Sequence, residues 1–117
     1  AMAGTRAVFC RLREPVRSGG PPLLGPATVD TMGRNHTGAW GPADAPGWGF
    51  GLGFSVLHDP QPTQTPESPG TWRWGGAYGH AWFVDRARGL SVVAFTNTLY
   101  EGMSGRFVTE LRDAVYA

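Results

Sequence analysis

The chain has no lysine; all ten of its basic residues are arginine. That excludes a Schiff-base lysine, a lysine general base and a phosphate-binding loop ending in Gly-Lys. Cysteine occurs once, at Cys10, so no internal disulfide forms and cysteine usage leaves the compartment undecided. Cys10 lies in an apolar helical pattern, where a buried inert thiol is a better reading than a nucleophile. No apolar run approaches the length of a membrane-spanning helix. Ala1-Met2-Ala3-Gly4 lacks the basic and apolar regions of a secretory signal. No membrane partner is expected, and the cytoplasm is placed ahead of the periplasm. Charge is also scarce. With 16% charged residues and a net charge of +1, nothing draws the chain electrostatically to nucleic acid. Its tryptophans are not interleaved with a basic groove either.

What the chain does have is glycine and proline. Together they fill 28 of 117 positions (18 and 10), which favours short strands and many turns over a helical bundle. The length fits one domain or part of one, with a modest core. Thr5 caps a first helix whose stripe is Val8, Phe9 and Leu12, and Pro15 with Ser18-Gly19-Gly20-Pro21-Pro22 ends it. Within residues 23–33, Pro26 suits a helix start and Gly33 its C-terminal cap. Asn35-His36-Thr37 matches a glycosylation sequon only by chance. Gly47, Gly49, Gly51 and Gly53 then alternate with Trp48, Phe50, Leu52 and Phe54, continuing to Val56. This predicts a single strand with something packed closely on its bare face. Residues 58–71 read as an exposed loop. Strands are expected near 80–85 and at 90–96, joined by a hairpin at Arg86-Ala87-Arg88-Gly89. The second of these is apolar on both faces and is expected to be an inner strand. Ser104 is expected to cap a last helix with Phe107, Val108, Leu111 and Val115 on its apolar face. The fold class is α+β, with helices covering one face of an antiparallel sheet.

The stretch from Trp72 to Asp85 organises the chain. It begins as a glycine-punctuated turn or strand end and carries three of the five tryptophans within eleven residues. Bare backbone under aromatic walls suits an enzyme that aims a main-chain N–H at a substrate carbonyl. It equally suits a close-packed strand crossing, and residue types leave both readings open. Elsewhere the chemistry is thin. His36, His58 and His80 have no ligand spacing, so no metal is expected. His80 either lines a cleft or bonds to backbone at a strand edge. None of the five serines lies in a Gly-x-Ser-x-Gly elbow or has a lysine three residues on. No nucleophile is visible, and no cofactor is called for.

Three stretches carry a resemblance: Trp74-Gly75-Gly76-Ala77-Tyr78-Gly79, Ala81-Trp82-Phe83-Val84-Asp85, and Gly89-Leu90-Ser91-Val92-Val93-Ala94-Phe95-Thr96-Asn97. In order and spacing, with support from residues 24–32 and 49–54, the whole chain resembles the C-terminal part of serine hydrolases of the class C β-lactamase fold. The nearest subgroup is the family VIII carboxylesterases. The resemblance implies the C-terminal portion of the β-lactamase/penicillin-binding-protein fold, as a single partial domain over 1–117. It implies cleavage of ester or β-lactam/amide bonds through an acyl-enzyme. Trp74, Gly75 and Gly76 match the third motif, on a strand beside the active site. Ala77 then matches the residue whose backbone N–H forms half of the oxyanion hole. Trp74 would wall the acyl pocket, with Tyr78 and His80 nearby. The Ser-x-x-Lys and tyrosine motifs of such enzymes are missing, so the N-terminal part, in the same or a second chain, is the implied partner. The alternative is a truncated β-rich product with no activity of its own.

Overall fold

A computed structural model describes residues 23–117. The expected Thr5-capped helix, its Val8, Phe9 and Leu12 stripe, its stop at 15–22 and Cys10 lie outside the described residues. The described chain forms helix α1 (Pro26–Met32), strands β1 (Trp48–Phe50), β2 (Ser55–Leu57), β3 (Trp72–Gly75), β4 (His80–Asp85) and β5 (Leu90–Phe95), and helix α2 (Arg106–Tyr116). The five strands make one antiparallel sheet in sequence order, β1 to β5. The α+β expectation holds, with five strands where three were expected.

α1 begins as expected, with proline in its first turn, and it closes at Gly33, whose N–H donates to the Val29 carbonyl while the Arg34 N–H donates to the Thr31 carbonyl. The glycine alternation of residues 47–56 is a hairpin and not one strand. It folds back between β1 and β2, where the Gly51 N–H donates to the Phe54 carbonyl at 2.9 Å. The close packing expected on the bare face is real. The Asn35 side chain stands where a β-carbon of Gly49 would be, and the Met32 carbonyl fills that place at Gly51. The Asn35 amide is committed to this role. Its Oδ1 accepts from the Thr37 N–H and hydroxyl and from the Phe50 N–H.

The side chains of β3 and β4 alternate between two faces. Trp72 and Val84 point one way, into a core with Val29, Phe54 and Val56 that Met32 of α1 closes. A fully buried side chain of this size contributes about 1.5–3 kcal/mol. Arg73, Phe83 and Asp85 point the other way, where the Tyr116 ring of α2 stacks on Phe83 at 6.0 Å. The two described helices therefore take opposite faces, where one covered face was expected. α2 starts one residue later than expected. Its N-cap is Gly105, and Glu101 Oε2, in place of Ser104, accepts from the Phe107 N–H at 3.0 Å.

The β4–β5 turn forms as expected, with Gly89 at φ 68°. β5 differs. Among the described residues it pairs only with β4 and lies at the sheet edge, every residue at least partly exposed. An unpaired apolar edge recruits further strands. The chain by itself is expected to self-associate as concentration rises, read by light scattering. A monomer at high concentration with no dye-detectable apolar patch would contradict this.

Candidate functional site

β3 ends at Gly75, and the chain turns through residues 76–79 before returning as β4 at His80. The turn is pinned locally. The Gly76 N–H donates to the His80 carbonyl at 2.9 Å, and the Gly79 N–H to the Gly76 carbonyl at 3.1 Å. The glycines have steric reasons. The His80 imidazole occupies the place a β-carbon of Gly76 would take, and the Gly102 carbonyl does the same at Gly75. Gly79 adopts φ 97°, which a side chain resists.

The turn leaves two donors over. Neither the Ala77 nor the Tyr78 N–H meets a protein acceptor among the described residues. β3 is also open on one side at this end. β2 pairs with it only at Ser55–Arg73 and Val56–Trp72, so Trp74 and Gly75 lie beyond the last β2 contact. Backbone at this edge is available to something that is not a strand of this sheet.

Of the six residues singled out in the sequence, Gly75, Gly76, Ala77 and His80 come together at this turn. Trp74 lies on the open edge, 49% exposed, with its ring edge-on to Phe50 at 5.2 Å. Tyr78 projects from the turn at 83% exposure. Sequence reasoning missed the segment that grips the turn from outside. Thr96 sends both its N–H (2.8 Å) and its hydroxyl (2.9 Å) to the Gly79 carbonyl, and the Tyr100 N–H donates to the Ala77 carbonyl at 2.6 Å. Main-chain donors have no residue-type signature, so only Gly102, a glycine beside an aromatic turn, offered a signal.

A second polar cluster lies on the α2 face. A cavity of about 440 Å³ opens there between the sheet and α2, lined by Glu67, Arg73, Arg112, Trp48, Trp82 and Met103 among others. Of the six residues only Trp74 and Gly75 reach it. The Arg73 guanidinium sits 3.6 Å above the Trp48 ring. Burial raises the Glu67 carboxyl above its ordinary range, against the Thr65 hydroxyl and the Arg73 and Arg112 charges. Burial likewise lowers Arg73, with Glu67 opposing. Asp85 goes the other way. Burial pushes it up, but hydrogen bonds from Tyr116, Ser68 and Arg88 outweigh that and hold it low. The same pairing and burial raise the Tyr116 phenol. No three His, Cys, Asp or Glu side chains converge as a metal site among the described residues.

The described chain is thus an α+β fold whose β3 edge is open beyond β2 and whose β3–β4 turn carries two N–H groups with no acceptor among the described residues. The beta-lactamase family model matches residues 1–117, and the chain belongs to that family. It is 48% identical to esterase EstB of Burkholderia gladioli over 116 residues, 99% of this chain and 29% of that protein. A solved structure of EstCE1, described as a hydrolase with promiscuous acyltransferase activity, superposes with a TM-score of 0.81. The identity there is 48%, over 92% of this chain and 27% of that one. The chain thus spans less than a third of the relatives it matches.

Proposed function

We propose that this chain is the C-terminal portion of a serine hydrolase that cleaves small esters, or β-lactam and other amide bonds, through an acyl-enzyme. The observation carrying the reading is the Ala77 N–H. It has no acceptor among the described residues, it lies in the turn after an open strand edge, and the chain belongs to a family with an esterase relative. In the assembled enzyme a serine from the N-terminal part attacks the ester carbonyl. The carbonyl oxygen becomes an oxyanion, which accepts from Ala77 N–H and from the nucleophile's own N–H. Collapse expels the alcohol and leaves the acyl-enzyme, and water then releases the acid. Gly75 and Gly76 keep the approach clear, Trp74 walls the acyl side, and Tyr78 and His80 border the pocket.

A second reading applies to the chain by itself. With no lysine it cannot hold a Ser-x-x-Lys pair. The expected result is no p-nitrophenyl acetate turnover by the chain alone, and turnover once the upstream part is present. Fluorophosphonate labelling of one of this chain's own serines, with turnover, would overturn that division of labour.

A further inference from the structure

We propose that Tyr100 is a positioning residue for the Ala77 N–H, acting through its backbone and not its phenol; this rests on the ester-hydrolase reading above. A donor is useful to an oxyanion only if its direction is fixed before the charge develops. The Ala77 N–H belongs to the Gly76–Ala77 peptide. That plane is held by one local bond, from the Gly79 N–H to the Gly76 carbonyl. The turn holds two glycines at 76 and 79, whose dihedrals are the least restrained of any residue. The next plane, Ala77–Tyr78, is tied from outside the turn by Tyr100 N–H at 2.6 Å. With both flanking planes anchored, rotation about Ala77 is arrested, and so is the direction of its N–H.

Tyr100 reaches this bond through an uncommon conformation. It sits at φ 66°, one of two described non-glycine residues with positive φ. Its carbonyl accepts from the N–H groups of Met103, Ser104 and Gly105, which closes a tight loop. Glu101, next in the chain, takes the Phe107 N–H at the start of α2. The loop is therefore held at its far end as well. The residue is 57% exposed and its hydroxyl has no bonded partner among the described residues. What the turn uses is the left-handed backbone and its N–H.

The test is a series at position 100 in the full-length enzyme: Tyr100→Phe, Tyr100→Gly, Tyr100→Asn, Tyr100→Ala and Tyr100→Val. All keep the N–H, and they differ in their tolerance of left-handed φ. Phe is expected to match wild type, with Gly and Asn close to it. Val is expected to lose about ten-fold or more in kcat for p-nitrophenyl acetate with KM little changed, and Ala to fall between. Amide hydrogen exchange across residues 76–79 should accelerate in the same order. If Val does not fold, the Gly, Asn and Ala members still order the series. A Gly variant as impaired as Val, or a folded Val variant with normal kcat and exchange, overturns the proposal. The exchange readout separates the two claims. Absence of hydrolysis in the wild-type enzyme would sink the ester reading, while the exchange order would still decide the role of Tyr100.

Discussion

Ala77→Pro in the full-length enzyme is expected to cut ester hydrolysis by about 10²–10³ while the sheet stays folded. Proline deletes one N–H and fixes φ near −65°. Elsewhere in a hairpin that change would also remove a ladder bond and confuse loss of fold with loss of function. Here the Ala77 N–H meets no acceptor among the described residues, so no hydrogen bond within them is lost. The residue before it is Gly76, the one least troubled by a following proline. The loss expected for one oxyanion donor is about 10²–10³ in kcat. Ala77→Gly keeps the N–H and should be far milder. The measurement is kcat on p-nitrophenyl acetate beside a thermal melt. A folded Ala77→Pro enzyme with near-normal kcat would reduce Trp74-Gly75-Gly76 to a close-packed crossing against Gly102.

Local chemistry explains which parts of the fold were legible. Pro26 and Gly33 bracket α1, and Gly89 marks the last hairpin, because proline suits a helix's first turn, the Trp72 ring leaves no room for a β-carbon at Gly33, and Gly89 adopts φ 68°. The β1–β2 hairpin escaped because its glycine alternation runs straight through the turn. Gly51 is bare because the Met32 carbonyl abuts it, whereas Gly53 serves the turn at φ 110°, and the two uses look identical in sequence. β5 reads as an inner strand because Leu90, Val92, Val93, Ala94 and Phe95 leave it no polar face, yet only β4 pairs with it among the described residues. At the site, missing side chains at Gly75 and Gly76 were visible as such. The role proposed for Ala77 was not, because an N–H is common to nearly every residue and only the resemblance singled it out. Tyr100 carried no signal, since tyrosine is not a residue from which left-handed backbone is expected.

The largest stability effect is expected at Asp85, which composition alone would place at the surface. It is fully buried at the end of β4. Its carboxylate accepts from the Ser68 N–H at 3.1 Å, the Arg88 N–H at 3.1 Å and the Tyr116 hydroxyl at 2.7 Å. One side chain thus joins the loop before β3, the β4–β5 turn and the end of α2. Asp85→Ala strands three donors and is expected to cost about 3 kcal/mol or more, read from denaturant melts. Asp85→Asn keeps the size but loses the charge and one acceptor, so it should cost less. The pH dependence fixes the sign. The folded carboxyl titrates below its unfolded value of about 3.9, so its contribution is present above that pH and fades as pH falls through the folded value. Glu67 leans the opposite way. Burial raises its folded value, so its ionisation subtracts stability as pH climbs past the unfolded range. Asp85→Asn should therefore flatten the acid limb of the stability profile, and Glu67→Gln should leave that limb in place while raising stability near neutrality. An acid limb unchanged in Asp85→Asn would mean that the three bonds to Asp85 do not depend on its charge.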